Sequence, residues 1–340
     1  MTSMSVKNVT MKDIAKRLNV SIVTVSKALA GKDGVGSELR EKIIATADEI
    51  GYVPKNNGAN SEGKNQIVAI IMSERYLNND NSFYFQIYQK MIKSLSLRGH
   101  IGILEIVRKE DEEASNLPKI FRMESISQIV IIGEMKNHFL ESVVSTGIKV
   151  IFFDFENEEY DVDCIAGDSI NGGYTLTRHL VKNGYRKIGF IGNYKATRSI
   201  LDRFTGYMKY LIARDLRMEE KWIISDRDKD GRFIPLVFPE EMPEAFVCNC
   251  DEAAYKLIAQ LNQAGYRVPE DIAVVGYDDY ADNVLPGVSL TTYHVNTEEM
   301  INQCIRVIEN KDNEPEGRKG IMIIPGRLVV RETVLKRNVT

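Results

Sequence analysis

The sequence predicts a small all-α head followed by a larger α/β body of two lobes, in which parallel sheets carry helices on both faces. Apolar residues near the N-terminus recur at the three- and four-residue spacing of short amphipathic helices. From residue 67 onward, short apolar runs alternate with amphipathic stretches, the pattern of parallel strands joined by helices. We therefore assign residues 1–53 to the head, 54–66 to a linker and 67–340 to the body.

Composition limits the classes of protein to which the chain can belong. Of its 340 residues, 44% are hydrophobic and 27% are charged, as in ordinary globular proteins. The chain has no run of about 18 apolar residues, and its polar start, MTSMSVKNVT, lacks a secretory signal. Its four cysteines form no CxxC pair. We therefore expect a cytoplasmic protein with no membrane contact and with reduced, structural cysteines.

The segment VTMKDIAKRLNVSIVTVSKAL predicts two short helices separated by a tight turn. Apolar residues of the first helix repeat at i, i+3, i+4 and i+7. Thr10 and Asp13 resemble a capping box, and Asn19 suits the left-handed turn that follows. Ser21 suits the cap of the second helix, where its hydroxyl can accept from the backbone N–H of Thr24. A third helix, SELREKIIATADEIGY, follows a glycine-rich loop.

The outward face of the second helix is short and carries few charges. Val25 and Leu29 share its inward stripe, whereas Val23, Ser26 and Lys27 point to the other side. Three short helices in this order are typical of a helix-turn-helix, whose second helix enters the major groove of DNA. There, hydroxyls and a lysine can contact base edges or phosphates, and a valine can meet a thymine methyl. A generic helical bundle with a solvated face is the alternative, but the cap, the turn and the third helix all favour the first interpretation.

The charge distribution also favours the helix-turn-helix interpretation of the head. Residues 1–65 hold 10 Lys and Arg against 7 Asp and Glu, which leaves 34 against 41 of the totals of 44 and 48 for the rest of the chain. A basic head on an acidic body indicates that only the head meets a polyanion.

In the body, polar residues follow several apolar strands, at the sheet edge where ligands bind in open α/β folds. Asp154 follows VIFF, Asp278 follows IAVVGY, and Arg203 lies in DRFTGY near the start of a helix. An arginine and carboxylates that converge in a cleft can clamp vicinal hydroxyls through charge-assisted hydrogen bonds. Phe83 and Tyr84 open the first helix of the body and can stack on a sugar face. Each residue alone would equally fit a helix cap, a salt bridge or core packing.

The head, from VTMKDIAKRLNV to ADEIGYVP, closely resembles that of the lactose-repressor/galactose-repressor family. VT, DIA, VS-x-x-TVS, a basic residue, a glycine loop, REK and GY-x-P stand in register. The resemblance implies that seven side chains contact DNA, namely Thr10, Ser21, Ile22, Val23, Thr24, Ser26 and Lys27. Ile22 and Val23 replace a polar or aromatic pair that is common in the family, so we expect readout to lean on thymine methyl groups.

The linker, PKNNGANSEGKNQ, has a flexible, polar composition. In the family this segment is a hinge that becomes helical on operator DNA, where a leucine wedges a base step of the minor groove. Ser61 stands at the leucine position, and Gly58 and Asn60 disfavour a helix. Because a wedge unstacks bases with apolar bulk, we do not expect this chain to kink its operator in the usual way.

The body is similar to the periplasmic-binding-protein-like body of the same family over residues 67–335. DRFTGY, GYRKIGFIG, VPEDIAVVGYDD, LTTYHVN and RLVVRETV carry the match. The match implies effector contacts from six residues, namely Ser82, Phe83, Tyr84, Asp154, Arg203 and Asp278. In two places the chain departs from the family. Cys250 occupies the position of a ligand-facing asparagine, and SDRDKDGRFIPLVFPEEMP is short with three prolines, so we expect its usual helix to be lost.

No enzyme motif is present in the chain. GxGxxG after a strand, GxxxxGK[ST] and GxSxG are absent, and the four histidines lack metal-ligand spacing. We therefore predict no catalytic residue, no metal and no cofactor. A carbohydrate-active α/β enzyme fused to a DNA-binding head is the alternative from another class.

These expectations combine into a transcriptional repressor that acts as a homodimer on palindromic double-stranded operator DNA. A small-molecule effector, expected to be a sugar, binds between the two lobes of the body and changes the affinity for DNA. Control by a nucleobase or by a protein co-regulator is the alternative within the same family.

Overall fold

A computed structural model describes residues 11–29, 35–49, 66–77, 82–123, 125–228, 231–280, 285, 287–309 and 320–337. The chain divides into two compact units, Met1–Glu62 and Gly63–Thr340. Over these described ranges, no helix is both long and apolar enough to cross a membrane. The linker up to residue 65, with Ser61, lies outside the described residues.

Three helices form the described part of the first unit. They are α1 (Met11–Leu18), α2 (Ile22–Leu29) and α3 (Ser37–Glu49). The turn between the first two places Asn19 at a φ of 51°, in the left-handed region that asparagine tolerates. The Ser21 hydroxyl accepts from the N–H of Thr24 at 3.0 Å. The predicted turn and the predicted cap of the second helix are both confirmed.

A small apolar core joins these helices. Ile14 of α1, Val25 and Ala28 of α2, and Ile43 of α3 are all buried. Leu29, which the sequence places on the inward stripe, is only half-buried at the edge of this core. Ala28 is instead the second residue of α2, beside Val25, that is buried in this core.

Twelve strands and seven helices lie in the described part of the body. The strands are β1 (Ile67–Ser73), β2 (Ile101–Val107), β3 (Ile126–Ile132), β4 (Lys149–Phe153), β5 (Asp163–Gly167), β6 (Ile188–Ile191), β7 (Ile223–Ile224), β8 (Ala245–Cys248), β9 (Ala273–Asp278), β10 (Thr291–His294), β11 (Ile321–Ile324) and β12 (Arg327–Val329). The helices are α4 (Phe83–Leu97), α5 (Lys109–Glu113), α6 (Asn137–Val144), α7 (Ser169–Lys182), α8 (Arg198–Ile212), α9 (Asp251–Gln263) and α10 (Thr297–Glu309).

The strands form two sheets, one in each lobe. The first has the order β11-β5-β4-β3-β1-β2 and the second β12-β10-β9-β8-β6-β7. Every pairing is parallel except that of β12, which runs antiparallel to β10. Central strands such as β9 are buried along their whole length, as expected where helices cover both faces. The predicted two-lobed α/β fold is confirmed.

The segment after β7 contains no helix among its described residues, as the sequence predicts. Arg227 and Phe233 form an isolated antiparallel bridge. The N–H of Ile234 donates to the Asp226 carbonyl at 2.9 Å, and that of Asp228 donates to the Arg232 carbonyl at 2.9 Å. Prolines cannot donate the backbone hydrogen bonds that a helix needs. An extended loop therefore stands where the family resemblance predicts a helix.

Helices α7 and α8 pack closely because each presents a glycine to the backbone of the other. A Cβ atom at Gly173 would lie 2.0 Å from the Arg203 carbonyl oxygen, and one at Gly206 would lie 2.0 Å from that of Ile170. No side chain fits at those distances. This close approach positions the backbone of Arg203.

We expect Gly206→Ala to destabilise the body by about 1–3 kcal/mol, because the added methyl group meets backbone atoms that cannot swing away. Gly167→Ala is the matched control, since a Cβ atom there meets nothing closer than 3.5 Å. Urea unfolding followed by the fluorescence of Trp222, the single tryptophan of the chain, measures both variants. Equal free energies of unfolding for the two variants would contradict this packing.

Candidate functional site

The first candidate surface is the outward face of α2. Four of its side chains are exposed: Ile22, Val23, Ser26 and Lys27. Val23 is 64% exposed, although it is apolar. Thr24 is half-buried, and its hydroxyl lies 2.8 Å from that of Ser21. Apolar side chains beside hydroxyls and one cation suit contacts with thymine methyls and base edges. Thr10 lies outside the described residues.

The second candidate site is a cavity of about 200 Å³ in the body. Five of the six predicted effector residues line it: Ser82, Phe83, Tyr84, Arg203 and Asp278. The sixth, Asp154, lies beside Tyr84 and borders an adjoining depression. Asp154 directly follows β4 and Asp278 ends β9. The cavity therefore lies at the carboxyl ends of the strands, as expected for an open α/β fold.

Arg203 is a buried cation in the wall of this cavity. Its Nη1 donates to the Asn249 carbonyl at 2.7 Å, and its guanidinium stacks over the Tyr277 ring at 3.8 Å. Its Nη2 lies 3.8 Å from Asp278 Oδ1. Burial lowers the pKa of Arg203, but Asp278, Tyr277 and Asp154 raise it beyond its usual value, so the side chain stays charged. Its Nε is buried with no hydrogen-bond partner among the described residues.

Asp154 and Asp278 are buried carboxylates that retain open hydrogen-bonding capacity. Asp154 Oδ2 and Asp278 Oδ1 find no hydrogen-bond partner in the described part of the chain. The 3.8 Å separation between Asp278 and Arg203 allows charge attraction but is too long for a hydrogen bond. Burial raises the pKa of Asp154 to about 6, and it also raises that of Asp278. A ligand that donates to these oxygens would remove the penalty of leaving them unpaired.

The backbone at these carboxylates is strained. Asp154 has a φ of 66°, Asp278 of 116° and Asp279 of 57°. Residues other than glycine rarely adopt such angles, at a cost of about 1–3 kcal/mol each, and those that do cluster at functional sites. The strained backbone and the unpaired carboxylate oxygens therefore occur at the same two residues, Asp154 and Asp278.

Phe83 and Tyr84 belong to an aromatic cluster at one side of the cavity. The ring centroid of Tyr84 lies 4.4 Å from that of Tyr76, and the ring centroid of Phe83 lies 5.6 Å from that of Tyr280. Ser82 uses its hydroxyl to cap α4. The rings of Phe83 and Tyr84 therefore form an apolar wall of the cavity, and Ser82 caps the helix that bears them.

Sequence reasoning missed two arginines that line the cavity. Arg75 lies two residues after the end of β1, so the strand-end rule that identified Asp154 also applies to it. Its guanidinium lies 3.3 Å from Glu112. Arg227 lies in the loop after β7, where no periodicity or strand end singles it out.

Arg227 is held by a dense set of contacts. Its Nε and Nη2 donate to the buried carboxylate of Asp226 at 3.1 and 2.8 Å, and Nη2 also reaches Asn249 Oδ1 at 3.2 Å. Its guanidinium lies over the Phe233 ring at 4.7 Å. Cys250 Sγ lies 3.7 Å from the same Nη2. These contacts fix the arginine in the cavity wall.

Cys250 lines the cavity, at the position where the family resemblance places a ligand-facing asparagine. Its Sγ accepts from the N–H of Ala253 at 3.4 Å and caps α9. Burial raises the pKa of the thiol to about 12. A neutral thiol therefore stands where the family has an amide.

Two other strand-end carboxylates serve the structure. Asp251 is buried and accepts from the Thr292 hydroxyl at 2.6 Å and from the N–H of Asp279 at 2.8 Å. Asp279 lies 3.0 Å from His294 Nδ1 and 2.6 Å from Arg331 Nη2. Both carboxylates are therefore occupied by hydrogen bonds and ion pairs within the fold.

Comparison with known proteins gives results for both units. The sequence profile of bacterial regulatory proteins of the lacI family matches residues 10–55, and that of the periplasmic binding protein-like domain matches residues 177–334. The chain is 24% identical over 338 residues to the HTH-type transcriptional repressor PurR of Mannheimia succiniciproducens, covering 96% of this chain and 99% of that protein.

Solved structures show the same fold. The transcriptional regulator CelR in complex with cellobiose superposes with a TM-score of 0.63 at 22% identity, over 96% of this chain and 99% of that one. The Lac repressor dimer, bound to operator and the anti-inducer ONPF, superposes with a TM-score of 0.62 at 21% identity, over 97% and 100%. The chain belongs to the lactose-repressor/galactose-repressor family of DNA-binding transcriptional regulators.

Proposed function

We propose that the protein is a repressor whose affinity for operator DNA is set by a small sugar-like effector bound in the cavity of the body. One observation carries this proposal. Arg203 Nε, Asp154 Oδ2 and Asp278 Oδ1 are buried polar atoms without hydrogen-bond partners among the described residues, and they lie around the cavity. One donor and two acceptors suit the hydroxyl groups of a polyol, since each hydroxyl both donates and accepts.

The size and lining of the cavity support a compact ligand. Its volume of about 200 Å³ is below the range of about 300–1,000 Å³ that is usual for drug-sized ligands. A related regulator, CelR, was solved with a sugar, cellobiose. These points favour a sugar over a protein co-regulator, which would need a broad surface instead of a small cavity.

The operator contacts are proposed for the outward face of α2. Ile22 and Val23 provide apolar contact with thymine methyls, whereas Ser21, Thr24, Ser26 and Lys27 offer hydrogen bonds to bases and phosphates. Thr10 belongs to the same proposed set. One helix-turn-helix offers little contact area, so two copies related by a two-fold axis would read a palindromic site.

An exposed apolar edge of the first lobe supports the proposed homodimer. Leu97 at the end of α4 is 77% exposed, and Ile101 and Ile106 of the neighbouring strand β2 are also exposed. β2 is the edge strand of its sheet. Exposed apolar side chains on an unpaired edge favour association. The related Lac repressor was solved as a dimer on its operator.

We expect Arg203→Ala to abolish the response to effector without changing DNA binding by the ligand-free protein. The measurement is a thermal-shift screen against mono- and disaccharides, sugar phosphates and purines, in which a ligand at about 100 times its Kd adds about 2.7 kcal/mol. Lys209→Ala, which removes a cation further along the same helix α8, is the matched control. A sugar response that persists in the Arg203 variant would disprove the site, and a response to purines alone would disprove the sugar.

Lys27→Ala is expected to weaken operator binding by about 1–3 kcal/mol if Lys27 reads a base. The operator is first selected from a random duplex library, and affinity is then measured by fluorescence anisotropy at fixed salt. Lys42→Ala on α3 removes the same charge from the same unit and serves as control. An equal loss of operator affinity in both variants would show that only the total positive charge matters, which would contradict base reading by Lys27.

Effector affinity should fall as the pH drops below about 6, by an amount approaching tenfold per pH unit. The reason is that burial raises the pKa of Asp154 to about 6, and a hydroxyl donates best to the ionised carboxylate. The folded pKa lies above the unfolded value of about 4, so ionising Asp154 also lowers the free energy of unfolding as the pH rises from about 4 to 6. Titration calorimetry between pH 5 and 7 tests the first effect. An identical slope in Asp154→Asn would contradict this assignment.

A further inference from the structure

The loop after β7 gives the cavity a cation that is not explained by recognition of hydroxyl groups. Arg227 retains only 16% of its side-chain exposure and lines the cavity. Its Nε and Nη2 are occupied by Asp226, Asn249 and Cys250. Its Nη1 has no hydrogen-bond partner among the described residues. A rigid guanidinium with one free nitrogen is therefore available to a ligand.

The counter-charges of the arginines in the cavity are not all in its lining. Arg75, Arg203 and Arg227 line it together with the acidic residues Asp278 and Glu252, and Asp154 adds a third carboxylate in the adjoining depression. Burial raises the pKa of Asp278, so its negative charge is held weakly. Asp226, which neutralises Arg227 from behind, is buried and is not part of the lining. Arg75 and Arg227 therefore present cations to the cavity while their counter-charges, Glu112 and Asp226, lie outside its lining.

The contacts of Arg227 favour an anion over another hydroxyl group. Guanidinium N–H groups form short, charge-assisted hydrogen bonds with carboxylates and phosphates, and Nη1 is the nitrogen of Arg227 that remains for such a bond. Packing of the guanidinium against Phe233 and the bonds to Asp226 hold the side chain in place before any ligand arrives. Little conformational entropy is therefore lost when an anion binds.

We propose that the effector is a sugar-sized polyol that carries one phosphate or carboxylate group, and that Arg227 binds this group while Arg203 and Asp278 hold its hydroxyls. The proposal rests on the function proposed above and narrows the ligand to anionic sugars. The two arginines would then divide the ligand between them, one reading the anion and one reading the hydroxyls.

The test compares anionic sugars with their neutral parents on the full chain. Titration calorimetry at constant ionic strength uses glucose, galactose and mannose, their 6-phosphates and their uronates. We expect at least one anionic sugar to bind tenfold or more tightly than its neutral parent. Comparing the affinities of the 6-phosphates with those of the uronates then shows whether the site prefers a phosphate or a carboxylate. Inorganic phosphate at millimolar concentration should compete with the anionic sugar and leave binding of the neutral parent unchanged.

Variants of Arg227 assign the preference to this side chain. Arg227→Gln should remove the tenfold preference for the anionic sugar over its neutral parent. Arg227→Lys keeps a positive charge beside Asp226 and should retain part of the preference, so a folded variant is available even if the glutamine disturbs Asp226. Arg232→Gln, an exposed arginine of the same loop, is the matched control and should bind as the unmodified chain does.

The outcomes separate this proposal from the one on which it rests. Neutral sugars that bind as tightly as their anionic counterparts would overturn the anionic effector and leave the sugar site standing. The anionic effector is equally overturned if Arg227→Gln weakens the binding of neutral and anionic sugars alike. If no sugar of either kind binds, both proposals fail together.

Discussion

The burial of one guanidinium constrains much of the body. Arg203 can lie in the interior only because the Asn249 carbonyl, the Asp278 carboxylate and the Tyr277 ring surround it. Those three groups come from the ends of β8 and β9, so the arginine fixes two strand ends against helix α8. The helix in turn lies where it does because glycine lets its backbone approach that of α7. Polar groups around the cavity are thus held in place by the packing of the fold, without help from the ligand.

The part of the wall that follows β7 is built by different means. Where the family resemblance predicts a helix, this chain has an extended loop closed by the bridge between Arg227 and Phe233. Asp226 is buried and accepts from Asn249 Nδ2 at 2.7 Å, so the loop is anchored to the end of β8. Arg227 and Phe233 both line the cavity, so the loop supplies this wall with a cation and an aromatic ring.

Much of this organisation could be predicted from the sequence, and the reason is physical. Helical spacing around Ile14 and the Ser21 cap are local signals, and strand-end carboxylates such as Asp154 follow from the geometry of parallel sheets. The role of Arg227 could not be predicted, because it depends on a bridge between residues of an irregular loop. Nor could the strand-end rule by itself separate Asp278, with its open oxygen, from Asp251, whose oxygens are occupied by Thr292 and Asp279. That distinction depends on which partners the fold brings within hydrogen-bonding distance.

The distribution of these groups over the two lobes explains how a small ligand can act as a signal. Asp154 and Arg75 follow strands of the first sheet, whereas Arg203, Arg227 and Asp278 belong to the second lobe. A ligand that satisfies both sets binds best to one relative placement of the lobes, and it shifts the population toward that placement by its differential affinity. If that placement also changes the affinity for operator DNA, linkage requires that operator DNA change effector affinity by the same factor. The strength of the response is then limited by how much of the binding energy depends on contacts with both lobes at once. Contacts made to the second lobe alone, such as that proposed for Arg227, would raise affinity in both states and confer specificity, whereas the contact proposed for Asp154 would contribute to the switch.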